Sequence, residues 1–339
     1  MSAPVTSRER LLSILNGMDK QAKAVLCPGG MMSMAVTEIM EKCGASWPEA
    51  HTDARAMAKL ALAMQEATGF DSIAVPFCMT VEAEAYGARV NLGSATSQPR
   101  VMGSLIPVDT ECELPHPDFS RGRAATLLEA ISIARAARGD VVVIGNVPGP
   151  FSLLGMLTDP LMMMRWTRRE PERLKRYLSA VTADLAAYAR LQAAAGAEVL
   201  CIAEPTATGE ILGGRLFREF VFGPLETLIS EARSAGLRVI VHICGDVASI
   251  ERELMDLSAD AVSFDSMVDI IGLKGKSPSW RAMGNLSPFL LAAGKDEAIR
   301  AECERLVAGG VRLVSPGCGV VSSTGVSALR TMVEVAGRV

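Results

Sequence analysis

His242 and Cys244 sit two residues apart in the run Arg238-Val-Ile-Val-His-Ile-Cys-Gly245, and Cys318 lies far downstream in Val314-Ser-Pro-Gly-Cys-Gly319. In a strand, residues i and i+2 point to the same face. Both side chains of the first pair can therefore aim at one ion. A third soft ligand from another strand end completes a His-Cys-Cys set. Three protein ligands with a fourth position open describe a catalytic zinc rather than a structural one, able to hold and activate a substrate thiol. Softness favours zinc over magnesium or calcium, with iron or cobalt as lesser options. A buried cysteine taken singly is ordinarily a small core hydrophobe, and Cys201 and Cys303 read that way.

Carboxylates at other strand ends are the next candidates. Glu204 follows Leu200-Cys-Ile-Ala203, and Asp265 follows Val262-Ser-Phe264. Either can serve as a fourth ligand, orient the histidine, or accept a thiol proton, so both are assigned catalytic roles. Of Glu82 and Glu84, one is expected to face the same mouth. His51, after Trp47-Pro-Glu-Ala50, lines a pocket or serves as a loop fixture. His116, between Pro115 and Pro117, reads as a solvated loop residue. The glycines Gly29-Gly30 and Gly145–Gly149 can bring backbone N–H groups to an anion, and Met31-Met-Ser-Met34 lines an apolar wall or a helix-face core. No G-x-G-x-x-G or Walker pattern occurs, which argues against a nucleotide site.

These residues need a frame. Eight short apolar runs are candidate strands: Ala24–Pro28, Ser72–Pro76, Asp140–Asn146, Glu198–Ala203, Arg238–Ile243, Asp260–Phe264, Arg281–Asn285 and Arg312–Ser315. Helical patterns cover Asp53–Thr68, Gly122–Ala137, Pro171–Ala195, Arg215–Ala235, Ala248–Leu257 and Asp296–Ala308, with Thr52 or Asp53 as an N-cap. This alternation predicts a (β/α)8 TIM barrel, in preference to a doubly wound sheet, with an N-terminal helical segment and an inserted β-hairpin at 87–107 after strand two. Pro and Gly cluster at the strands' C-terminal ends, the face where such barrels do chemistry. The absence of linker-like stretches predicts one domain over 1–339.

Composition narrows the classes. The 339 residues are 49% hydrophobic and 4% aromatic with formal net charge −4, and the pI is near 5.6. Without a basic run or stacking platform, no nucleic-acid partner is expected. No apolar stretch reaches the roughly 18–20 residues of a membrane span, so no membrane partner is expected either. The eight cysteines form no CxxC pair and no signal-peptide pattern is present, which predicts reduced thiols and a cytoplasmic location. A homo-oligomer is compatible with all of this.

With those residues in hand, the chain resembles the methylcobamide:coenzyme M methyltransferase family within the uroporphyrinogen decarboxylase superfamily. The matching segments are Arg8–Leu12, Pro28–Met32, Trp47–His51, Met79–Glu84, Asn146–Pro150, Ala203–Gly209, Val241–Gly245 and Pro316–Gly319. The resemblance implies zinc held by His242, Cys244 and Cys318, with a substrate thiol in the fourth position. It implies a methylcorrinoid co-substrate carried by a partner corrinoid protein, and coenzyme M or a similar small thiol as acceptor. Within the matching segments, Gly29, Met31, His51, Glu82 and Asn146 become the expected cofactor-binding positions. Decarboxylases of the superfamily carry an Arg-bearing motif after the first strand; here that place reads Gly29-Gly-Met-Met-Ser-Met34, without Arg. The competing readings are methyl transfer to another thiol or to tetrahydrofolate, a metal-free decarboxylase, and a corrinoid or metal carrier. The chain lacks the D-x-H-x-x-G signature of cobalamin-binding modules.

Overall fold

Apolar runs buried on both faces force parallel strands into the centre of the molecule. The computed structural model describes residues 5–338 except 31, 33, 34, 108, 109, 111 and 278. Eight parallel strands form its sheet: β1 (Ala24–Val25), β2 (Ser72–Ala74), β3 (Val142–Pro148), β4 (Val199–Ala203), β5 (Arg238–Ile243), β6 (Ala261–Phe264), β7 (Ala282–Met283) and β8 (Leu313–Val314). They are ordered β1-β8-β7-β6-β5-β4-β3-β2. The two ends meet where the Asp71 N–H donates to the Val25 carbonyl and the Val25 N–H donates to the Asp71 carboxylate, each at 2.8 Å. The result is the expected (β/α)8 barrel, not a doubly wound sheet.

Alternation along each strand separates two apolar layers. Ala24, Leu26, Val142, Ile144, Val199, Cys201, Ile240, Ala261, Met283 and Leu313 fill the lumen. The intervening Val143, Leu200, Ile202, Val239, Val241 and Val262 pack outward under the helices. Burying a side chain of this size stabilises by roughly 1.5–3 kcal/mol. The lumen floor is closed by Leu11, Ile14 and Leu15 of the N-terminal helix Ser7–Leu15. That helix begins in a Thr6–Glu9 capping box. Ion pairs from Arg8 to Glu198 and from Arg10 to Asp71, both 2.6 Å, tie it to residues just ahead of β4 and β2.

One step further up the same parity, the lumen residues turn polar: Asn146, His242 and Ser263, then Asn285 and Ser315 beyond the ends of β7 and β8. All are buried. This polar layer under the strand ends is where the candidate residues meet.

Several boundaries differ from expectation. β1, β7 and β8 keep only two residues in ladder geometry, because the Pro- and Gly-rich ends turn away to build the mouth. β3 runs on to Pro148. Helices Gly122–Ala137, Pro171–Ala195 and Asp296–Ala308 match, and Asp53 is the N-cap, accepting from the Ala56 N–H. The helix expected over Arg215–Ala235 is divided by a π turn at Phe217–Phe222. The hairpin pairs Val90–Asn91 with Arg100–Val101, antiparallel, inside the expected span. Among the described residues, no helix is long and apolar enough to cross a membrane.

Candidate metal centre

His242 is the last lumen-facing residue of β5 and is fully buried. Its backbone carbonyl accepts from the Glu204 N–H at 2.9 Å. Cys244, one residue past the strand, lies on the same side, its Sγ 3.1 Å from His242 Nε2. Cys318 arrives from the loop after β8, its Sγ 3.6 Å from that of Cys244. That loop passes so close to the one after β6 that a Cβ on Gly317 would stand 2.6 Å from the Ser266 nitrogen. A side chain at Gly317 would force one of the two loops to shift.

The three ligand atoms lie within 4.8 Å of one another, the one such His/Cys/Asp/Glu group among the described residues. Zinc bonded at about 2.3 Å to sulfur and 2.0 Å to nitrogen in a tetrahedron needs ligand separations of roughly 3.5–3.8 Å. The Cys244–Cys318 separation falls in that range, the His242–Cys244 separation of 3.1 Å is shorter, and the soft donor set suits that ion. Sharing one proton, the thiols split: Cys318 falls to about 5, mainly because the Cys244 thiol donates to it, with the Gly319 N–H adding to the effect. Cys244 is pushed up by the same bond, then by burial and the charge of Asp265.

The two carboxylates take different places. Asp265 is half-buried against the Cys244–Gly245 turn, its Oδ2 accepting from the Gly245 N–H at 3.3 Å and its Oδ1 from the Met267 N–H at 3.3 Å. Glu204 is fully buried and turned toward the start of helix Pro150–Leu157. It accepts from the Phe151 and Ser152 N–H groups at 3.0 and 2.7 Å and from the Ser152 hydroxyl. Such N–H groups at a helix start have no partner within the helix, and the carboxylate supplies one. Burial still raises Glu204 to about 7. Neither carboxylate joins the ligand cluster.

Of the other expected positions among the described residues, Gly29 and His51 follow β1, Glu82 follows β2 and Asn146 lies on β3. Asn146 Nδ2 donates to the carbonyls of Pro28 and Val75 at 2.7 and 3.0 Å, lacing the ends of β1 and β2 together. Gly29 and Gly30 fold over it with positive φ; a Cβ on Gly30 would stand 2.6 Å from Asn146 Oδ1. The Gly30 N–H donates to the Pro76 carbonyl, so it is spent within the protein rather than offered to an anion. Met31 lies outside the described residues.

His51 packs 5.2 Å from Trp47 with the rings tilted by 30° and meets Phe77 edge-on. It is fully buried, with both ring nitrogens unpartnered among the described residues, and burial, then the Arg123 charge, lowers it to about 3. Glu82 is equally buried and is raised to about 8 by burial. Glu84 reaches the Arg123 guanidinium at 3.2 Å. His116 is exposed.

Sequence reasoning passed over two residues here. Arg123 is buried among Cys78, Thr80, Glu84 and the His51 carbonyl; its position in the first turn of a helix was the only signal. Ser263 bonds His242 Nδ1, and its signal was its place on the lumen parity of β6.

A cavity of about 540 Å³ opens beside the mouth among residues that follow β2, β3 and β4: Thr80, Ser152 and Thr206, with Arg100 of the hairpin and Asp159 at its edges. A cavity of similar size, about 570 Å³, lies between the outer faces of helices Pro171–Ala195 and Gly223–Ser234, remote from the ligands.

Known proteins give this geometry a context. Residues 6–339 match the family model described as uroporphyrinogen decarboxylase (URO-D). A methylcobamide:CoM methyltransferase, MtaA, of Methanosarcina barkeri is 32% identical over 97% of this chain and 96% of its own. A methylated-thiol–coenzyme M methyltransferase of Methanosarcina mazei is 28% identical over 98% of this chain and 89% of its own. A solved methyltransferase from Methanosarcina mazei superposes with a TM-score of 0.91 at 31% identity, covering 98% of both chains.

Proposed function

We propose that this chain, which belongs to the uroporphyrinogen decarboxylase family, is a zinc-dependent methyltransferase that moves a methyl group from a methylated corrinoid to a small thiol, coenzyme M being the first candidate. The observation that carries the reading is the convergence of His242, Cys244 and Cys318 within 4.8 Å at the barrel mouth. The names of the full-length relatives support the donor and acceptor.

A free thiol titrates near 8.5, so little thiolate exists at neutral pH. Zinc held by the three ligands would supply the acceptor as a thiolate, and the two cysteine thiolates would keep that sulfur electron-rich and nucleophilic. The chain's own residues do the rest. His242 and the two cysteines fix where the acceptor sulfur stands, and the apolar lumen beneath keeps bulk water from that side. Asp265, against the Cys244–Gly245 turn, is the carboxylate placed to receive the thiol proton. Glu204 holds the helix that walls the mouth. Arg100, which has no ion-pair partner among the described residues, offers the adjoining cavity a cation for an acidic tail. The sulfur forms a bond to the methyl carbon; the cobalt–carbon bond breaks with its electron pair left on cobalt, giving a thioether and Co(I) corrinoid. A partner corrinoid protein presents the methyl group over the mouth, so the chain itself need not bind cobalt.

Demethylation of methylcobalamin, followed spectroscopically with coenzyme M, homocysteine or tetrahydrofolate as acceptor, tests this. Turnover with a thiol and not with tetrahydrofolate is expected. Turnover with tetrahydrofolate alone, or decarboxylation of a tetrapyrrole carboxylate, contradicts it.

A further inference from the structure

We propose that Ser263 is a positioning residue for the metal centre, holding His242 in the one tautomer that can bind a metal through Nε2; this rests on the metal reading above. His242 and Ser263 are direct register partners on β5 and β6, both pointing into the lumen and both fully buried. Ser263 Oγ lies 3.1 Å from His242 Nδ1. On its other side, the Ser263 hydroxyl donates to the Met32 thioether sulfur at 3.7 Å.

The direction of this chain follows from the donor inventory. A thioether has no hydrogen to give and can only accept. With the serine hydrogen directed to Met32, the Oγ lone pairs face the imidazole and Nδ1 must carry the hydrogen. The Nε2 lone pair is then left pointing at Cys244, 3.1 Å away, toward the ligand cluster. The ring is fully buried, so removing the hydroxyl strands Nδ1–H and leaves the ring free to take the other tautomer, which cannot ligate through Nε2. Partners of this kind orient the metal-binding histidine and raise its basicity, and their loss commonly weakens a metal site by about 10–100-fold. Between the Met32 sulfur and His242 Nδ1, Ser263 sits at the register position beside a ligand, where its hydroxyl can fix the tautomer.

The test compares zinc dissociation constants of wild type, Ser263→Ala, Ser263→Thr and Met32→Leu by chelator competition, with the visible spectrum of the cobalt(II)-substituted proteins as a second readout of ligand geometry. We expect Ser263→Ala to bind zinc about 10–100-fold more weakly with an altered cobalt spectrum and a melting temperature near wild type. Ser263→Thr, which keeps the hydroxyl, should restore binding, and Met32→Leu should weaken it in the same direction by less. Wild-type affinity and spectrum in Ser263→Ala overturn the role of Ser263 while leaving the metal centre standing. Failure of the wild-type chain itself to bind zinc overturns both.

Discussion

The sulfurs of Cys244 and Cys318 lie 3.6 Å apart although the residues are 74 positions apart in the chain. That is well beyond the 2.05 Å of a disulfide and close to one edge of a tetrahedral zinc site. Two cysteines held so near without a bond between them need something else to keep them from oxidising. We predict that chelator-treated protein exposed to mild oxidant loses two titratable thiols of the eight in the sequence, mapped by mass spectrometry to this pair, and that zinc protects both. Loss of thiols elsewhere, or equal loss with zinc present, counts against the shared ion.

Asp265 and Glu204 separate by position. Asp265 lies against the Cys244–Gly245 turn, so Asp265→Asn should slow methyl transfer by tenfold or more while zinc content is retained, in keeping with the roughly 10²–10⁴-fold contribution of a positioned acid–base group. Glu204 satisfies the start of helix Pro150–Leu157, so Glu204→Gln should cost about 1–3 kcal/mol of stability, read by denaturant unfolding, also with zinc retained. The reverse pattern, a stable but inactive Glu204→Gln, would return the proton-accepting role to Glu204.

The buried ionisable groups opposite the metal centre give stability two opposed pH dependences. The carboxyl of Glu82 is raised from 4.5 to about 8. The unfolded chain therefore ionises it first, and the stability held below pH 4.5 is lost progressively as pH rises to about 8. His51 is lowered from 6.5 to about 3, so the stability it contributes above pH 6.5 is lost as pH falls toward 3. Glu82→Gln should remove the first slope, gaining on wild type between pH 4.5 and 8 by at most about 5 kcal/mol. Unfolding free energies at pH 5 and pH 8 check this; an equal effect at both contradicts it.

Much of this was legible in the sequence because it is carried by local signals. Strand runs buried on both faces are continuous and apolar, and the i, i+2 parity of His242 and Cys244 follows from strand geometry alone. The end of Cys318's loop was legible from Pro316-Gly-Cys-Gly319. What was not legible depends on register and direction. Ser263 meets His242 only through the pairing of β5 with β6, and Glu204 turns to a helix start whose position the Pro- and Gly-rich run 145–150 conceals. Gly29 and Gly30 read as an anion cradle; their tight fold over Asn146 depends on β3 approaching β1, which no local pattern announces. Arg123 offers only its place in the first turn of a helix, and nothing local says that it is buried against the His51 carbonyl.

The central claim is one ion held by three named side chains. Metal analysis of purified wild type and Cys318→Ala, alongside circular dichroism and thiol methylation, tests it most directly. The account predicts about one zinc per wild-type chain, and in the variant an unchanged spectrum with zinc and methyl transfer both lost. Full zinc content with full activity in Cys318→Ala would contradict it.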